Sequence, residues 1–186
     1  MFMFDVETMD AESTAVILSA AIIKFDFNEV LTFEDYVKRA CFVKFDAKSQ
    51  IKDYKRTVSK ETMAWWDKQS EIAKRISLIP SADDVSAKEG IDTIKKYVEK
   101  HGGKDTFFWA RGSLDQMVID SLCTRLQVPY ITQYNRWRDV RTAIDIIAND
   151  SKEGYCKIKN FDYNKVLKHD PVQDCALDIM MMVNHE

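Results

Sequence analysis

Apolar residues enter this chain first in strand-length runs and later at helical spacing. Met1-Phe2-Met3-Phe4 opens a short apolar run that continues to Thr8, and Thr14 to Phe27 (TAVILSAAIIKFDF) follows, dense in β-branched and apolar residues. Both segments predict buried strands. Phe33 to Phe45 mixes aromatics, valines and charges in near-alternation, which predicts a third, less buried strand. With Asn28-Glu29 between the second and third segments, an antiparallel meander is the simplest connection.

The period then changes. Ser59-Lys60-Glu61-Thr62 supplies an N-cap and an acidic first turn ahead of Met63, Trp65 and Trp66, predicting a helix, and Ser70 to Ile76 predicts a second short one. Asp84 to His101 carries Val85, Ile91, Ile94, Tyr97 and Val98 at helical spacing and ends at Gly102-Gly103. Thr106 to Ala110 predicts a compact aromatic strand, Asp115 to Leu126 an amphipathic helix, and Arg136 to Val140 a short strand leading into a helix through Ile147. Residues Asp150 to Lys168 predict a loop-rich stretch, and Pro171 to Val183 a closing helix. Three strands followed by helices interleaved with two more strands make a mixed α/β plan, with neither an internal repeat nor a linker dividing residues 1–186.

Composition narrows the class. A chain of 186 residues, 46% hydrophobic, suits a single domain with a full core, and only 5 Gly and 3 Pro argue against disorder. No apolar run reaches the roughly 18 residues of a membrane span, and the opening segment lacks the features of a secretory leader. Four scattered cysteines without a C-x-x-C pair fit reduced thiols, so a cytoplasmic setting is expected. A net charge of −3 gives no general attraction to polyanions, although bound cations would reverse the sign locally. Lys44, Lys48, Lys52, Lys55, Arg56 and Lys60, against only Asp46 and Asp53, form a basic strip that reads equally as a solvated loop or a phosphate-contacting surface.

Candidate chemistry begins at Asp5-Val6-Glu7. Two carboxylates one residue apart on a strand project from the same face, and crowding them is unfavourable unless a cation neutralises them. Asp10-Ala11-Glu12 repeats the spacing in a polar connection, where nothing crowds it. Asp115 stands at a strand-to-helix junction, where a first-turn acid also suits the helix dipole. Asp174 has the same alternative in the closing helix. His169 precedes that helix and is the one of three histidines placed ahead of a carboxylate at fixed spacing, as a base acting on a metal-bound water would be.

In that order, Asp5-x-Glu7, Asp115 and His169-x4-Asp174 resemble the motifs of the DEDDh 3′–5′ exonucleases, which have a ribonuclease H-like fold. The phrases DVETM, FVKFDAKSQ, ETMAWWDKQS, ARGSLDQMVI, RWRDVRT and HDPVQDCALDIMMM are similar to the branch containing T-even phage exonuclease A and its bacterial exoribonuclease-like relatives, and they run from Phe2 to Met182. One departure is Pro171, where many members carry a small residue two places after the histidine. The resemblance implies an α/β sheet of three antiparallel strands and two further strands flanked by helices. It implies that Asp5 bridges two divalent ions (Mg²⁺ or Mn²⁺), that Glu7 and Asp174 complete one site, and that Asp115 serves the second directly or through water. His169 would deprotonate the attacking water, releasing 5′-mononucleotides from the 3′ ends of single-stranded DNA or RNA. A homodimer is also in keeping with relatives, as is a host cytoplasm for a phage-encoded member.

Around those residues, Met9 is a candidate wedge against a terminal base. Trp65 and Trp66 cannot both face one way on a helix, so one packs in the core and the other is a candidate to stack a base. Arg111, Arg138 and Arg141 would meet phosphates or pair with acids, Asp139 suits a supporting role, and Met180-Met181-Met182 reads as core filling. Two other readings stand beside hydrolysis from an end: a non-catalytic nucleic-acid-binding module with the same fold, and a ribonuclease H-like endonuclease. The complete carboxylate set argues against the first, and the His-x4-Asp ending against the second.

Overall fold

A computed structural model describes residues 1–185. Five strands form one mixed sheet: β1 (Phe2–Thr8), β2 (Ile17–Lys24), β3 (Cys41–Lys44), β4 (Phe108–Ala110) and β5 (Trp137–Asp139). Their order across the sheet is β3-β2-β1-β4-β5; the β3–β2 and β2–β1 pairs are antiparallel, and the β1–β4 and β4–β5 pairs are parallel. Eight helices flank it: α1 (Phe33–Arg39), α2 (Ala47–Tyr54), α3 (Lys60–Trp66), α4 (Glu71–Ala73), α5 (Ala87–His101), α6 (Leu114–Leu126), α7 (Val140–Ile147) and α8 (Pro171–Val183). The arrangement is that of a ribonuclease H-like fold.

One expected strand is mostly helix. Of Phe33 to Phe45, only Cys41–Lys44 joins the sheet, while Phe33–Arg39 forms α1. Capping overrides the near-alternation: Thr32 accepts from the Asp35 amide, Glu34 and Asp35 occupy the first turn, and Lys38 and Arg39 the last. Phe33 and Tyr36, three apart, then share the buried face. The β2–β3 connection is therefore helical, though the antiparallel pairing holds. The predicted helix over Ser70 to Ile76 is the short α4 continued by a π-helical turn over Lys74–Leu78. Within the basic strip lies α2, capped by Asp46.

Alternation along β1 divides the core. Phe2, Phe4 and Val6 face α5 and α6, packing with Ile91, Ile94, Val98, Val118 and Leu122. Met3 faces the other way, toward Ala176, Ile179 and Met180 of α8 and Val140 and Ile144 of α7. α8 is apolar apart from one acidic face because it lies between the sheet, α1 and α7; Met180, Met181 and Met182 are all buried there. On the opposite face Gly90 permits close approach of α5, since a Cβ would stand 2.2 Å from the Phe45 ring. The four cysteines are unpaired, and no helix among the described residues is long and apolar enough to cross a membrane.

Candidate active site

The same alternation that sends Met3 toward α8 sends Asp5 and Glu7 there, at the point where apolar packing gives way to polar side chains. Asp174 meets them from the first turn of α8. Ligand atoms of Glu7, His169 and Asp174 all lie within 4.8 Å of one another. Asp115 enters from the first turn of α6, where its Oδ1 accepts the Val6 amide at 3.0 Å. That bond anchors the α6 carboxylate to the residue between Asp5 and Glu7.

Burial raises the pKa values of all four carboxylates, and for Asp5, Glu7 and Asp174 neighbouring acids add to the rise. Burial, then the neighbouring carboxylates of Asp115, Glu7 and Asp174, holds Asp5 well above the usual carboxylate range. Burial and the Asp174 charge push Glu7 up to about 8. Burial raises Asp115 to about 7 against the opposing hydrogen bond from Val6, and burial with the Asp178 charge raises Asp174 to about 7. Converging carboxylates are an all-oxygen donor set suited to hard divalent ions.

His169 sits in the left-handed region with φ of 64°. Two contacts hold it: its amide donates to Asp174 Oδ2 at 3.0 Å, and its ring packs edge-to-face on Trp65 with centroids 4.6 Å apart. Its Nδ1 stands 3.9 Å from Glu7 Oε1. Burial and nearby Lys168 lower its pKa, favouring the neutral imidazole that can take up a proton.

The adjacent tryptophans divide as their spacing requires. Trp66 is fully buried, its indole nitrogen donating to the Thr8 carbonyl at 2.9 Å, and Met9 packs partly buried against the same small cluster. Trp65 remains 39% exposed beside His169. Stacking on a base is therefore open to Trp65 and closed to Trp66.

Arg111 turns inward. It binds Asp178 through both Nε and NH2, donates from NH1 to the Gly154 carbonyl, and lies over the Tyr155 ring at 4.1 Å. Its guanidinium is used within the protein rather than held toward solvent. Arg138 lies on β5 over the Phe107 ring at 4.2 Å, with NH1 directed to backbone carbonyls. Asp139 accepts from Gly112 and Thr142, linking the β4–α6 turn to the start of α7.

Sequence reasoning missed Asp170 and Asp178. Asp170 caps α8 by accepting from Val172, and Asp178 is the buried partner of Arg111. The signal was present: Asp170, Asp174 and Asp178 recur every four residues and so share one face of the helix. Asp10 and Glu12 stay in the connection after β1, outside the cluster.

A ribonuclease H-like sheet with this acidic cluster belongs with the 3′–5′ exonucleases. The chain is a member of the 3′-5′ exoribonuclease Rv2179c-like domain family, whose model matches residues 1–184. It is also similar to the exodeoxyribonuclease of Enterobacteria phage T4, at 32% identity over 199 aligned positions covering 97% of this chain and 86% of that protein.

Proposed function

We propose that this protein is a DEDDh-type exonuclease that removes 5′-mononucleotides one at a time from the 3′ end of single-stranded nucleic acid. The observation that carries the reading is the convergence of Glu7, Asp174 and His169 within 4.8 Å beside Asp5 and Asp115. Asp5, Glu7, Asp115 and Asp174 would hold two divalent ions, Mg²⁺ or Mn²⁺, which when bound supply Lewis-acid stabilisation of the attacking and leaving oxygens. The carboxylates' crowding and burial are what favour cation binding over a closed apolar packing.

The chain's own groups account for the remaining requirements. Neutral His169 accepts the proton of the attacking water, with Asp174 fixing its backbone and Trp65 fixing its ring plane. Trp65, exposed on the same side, offers its free face to the terminal base. Family and relative carry opposite substrate names, exoribonuclease and exodeoxyribonuclease. Both sugars are therefore candidate substrates for this chain.

The test is hydrolysis of 5′-labelled single-stranded DNA and RNA side by side in Mg²⁺ or Mn²⁺, with Asp5→Ala as control. Products shortening stepwise from the 3′ end, lost in Asp5→Ala, support the reading. Cleavage of a circular strand would instead indicate an endonuclease, and binding without hydrolysis a non-catalytic module.

A further inference from the structure

The basic strip of the sequence lies apart from the carboxylate cluster. Its members separate in the fold. Lys44 is buried against Asp84 and backbone carbonyls, whereas Lys55 and Arg56 follow the C-terminus of α2 and line an open cleft of about 550 Å³. Thr14, Ser121, Thr124 and Arg125 line it too.

Arg56 is the unusual element. Only 6% exposed, it has no carboxylate partner among the described residues. Its Nε donates to the Ala15 carbonyl, NH2 to the carbonyls of Ser13 and Val118, and NH1 to the Ser121 hydroxyl at 3.3 Å. Four of its five N–H groups thus meet neutral acceptors, leaving one on NH1. A buried guanidinium without a neighbouring anion is costly, and burial lowers its pKa to about 10 against a small opposing effect of Cys123. Beside it, Arg125 spends only Nε, on the Tyr54 carbonyl, and Lys55 donates once, to the Lys52 carbonyl. Three cations therefore converge on one polar cleft with N–H donors to spare.

We propose that this cleft binds backbone phosphates of the substrate strand some distance from the cleaved end. The inference rests on the exonuclease reading for the identity of the polyanion, and on the cleft itself for the charge. α6 links the two places: it presents Asp115 in its first turn, and Ser121 and Arg125 lie six and ten residues further on. At 1.5 Å per residue the cleft wall runs about 9 to 15 Å from the metal-site carboxylate. A strand with its 3′ end among the carboxylates would meet this second anchor only when it is several nucleotides long. Phosphate contacts of this kind carry no base information, so they suit an enzyme that must accept any sequence.

The test uses the full chain carrying Lys55→Gln and Arg125→Gln together, leaving the buried Arg56 in place. Binding of 5′-fluorescein single strands of 2 and 15 nucleotides is read by anisotropy in EDTA, so that it does not depend on hydrolysis. The double variant is expected to bind the long strand several-fold more weakly and the short strand as the unaltered protein does. Loss of two phosphate contacts should make the slope of log affinity against log salt shallower by about 1.4 for a single strand. Inorganic phosphate at millimolar concentration should not compete with the long strand, which separates a strand anchor from a site for the free anion. Unchanged long-strand affinity and salt slope would overturn the proposal, as would equal weakening at both lengths or effective competition by phosphate. Absence of hydrolysis in Mg²⁺ with the length-dependent binding intact would count against the exonuclease reading alone.

Discussion

Arg111 and Asp178 form a buried, bidentate ion pair that supplies all the hydrogen bonds between the β4–α6 junction and α8 among the described residues. Arg111 lies four residues before Asp115, and Asp178 four residues after Asp174. The pair therefore ties together the two elements that bring separate carboxylates to the cluster. Neither side chain is more than 13% exposed. Removing one partner would leave an uncompensated charge inside the protein.

Asp178→Ala is accordingly expected to destabilise the fold by about 3–5 kcal/mol, measured by urea unfolding. Asp178→Asn, which keeps one acceptor for Arg111, should cost less. Equal unfolding midpoints for Asp178→Ala and the unaltered protein would show that the pair does not hold α8.

Acidity of the cluster gives stability a pH dependence whose sign is fixed. Glu7, with an ordinary value of 4.5, rises to about 8, and Asp115 and Asp174 rise from 3.8 to about 7. These groups bind protons more tightly in the folded state. Their contribution is full below about pH 4 and is lost as pH climbs through 7 to 8. Without metal, Asp5→Asn should therefore raise the melting temperature at pH 8, and Mn²⁺ should raise that of the unaltered protein more at pH 8 than at pH 5.5. An equal Mn²⁺ effect at both values, read by differential scanning fluorimetry, would contradict this account.

His169→Ala should lower turnover by about 10²- to 10⁴-fold, the usual range for loss of a general base, with Mn²⁺ affinity by calorimetry largely retained. Unchanged turnover removes His169 from the mechanism.

The neighbouring tryptophans should behave oppositely. Trp66→Ala empties a fully buried site and removes a hydrogen bond to Thr8, costing about 3–5 kcal/mol of stability. Trp65→Ala should leave stability nearly unchanged but weaken single-strand binding by about 1–3 kcal/mol, read by anisotropy. Matching losses of stability in the two variants would rule out this division.

Much of this was legible beforehand because it is local. Four of the five strands and the helix capped at Ser59 follow from periodicity and caps. The helix expected from Asp84 begins at Ala87, because Ser86 caps it with Glu89. The ordered acidic motif was visible as a family resemblance. Alternation placed Asp5 and Glu7 on one face of β1, and the structure puts that face toward α8. The misread segment over Phe33 to Phe45 failed because near-alternation and helical spacing coincide over seven residues, and Thr32 capping decided between them.

Other features depended on where distant segments came to rest. Whether Trp65 or Trp66 was the buried one, that Arg111 would turn to Asp178, and that Arg56 would be enclosed among neutral acceptors are all long-range outcomes. Sequence determined which residues carry charge and which face of each element they share, because backbone geometry imposes those periods. Tertiary structure decided which charges are compensated, because that depends on which elements the sheet order brings side by side.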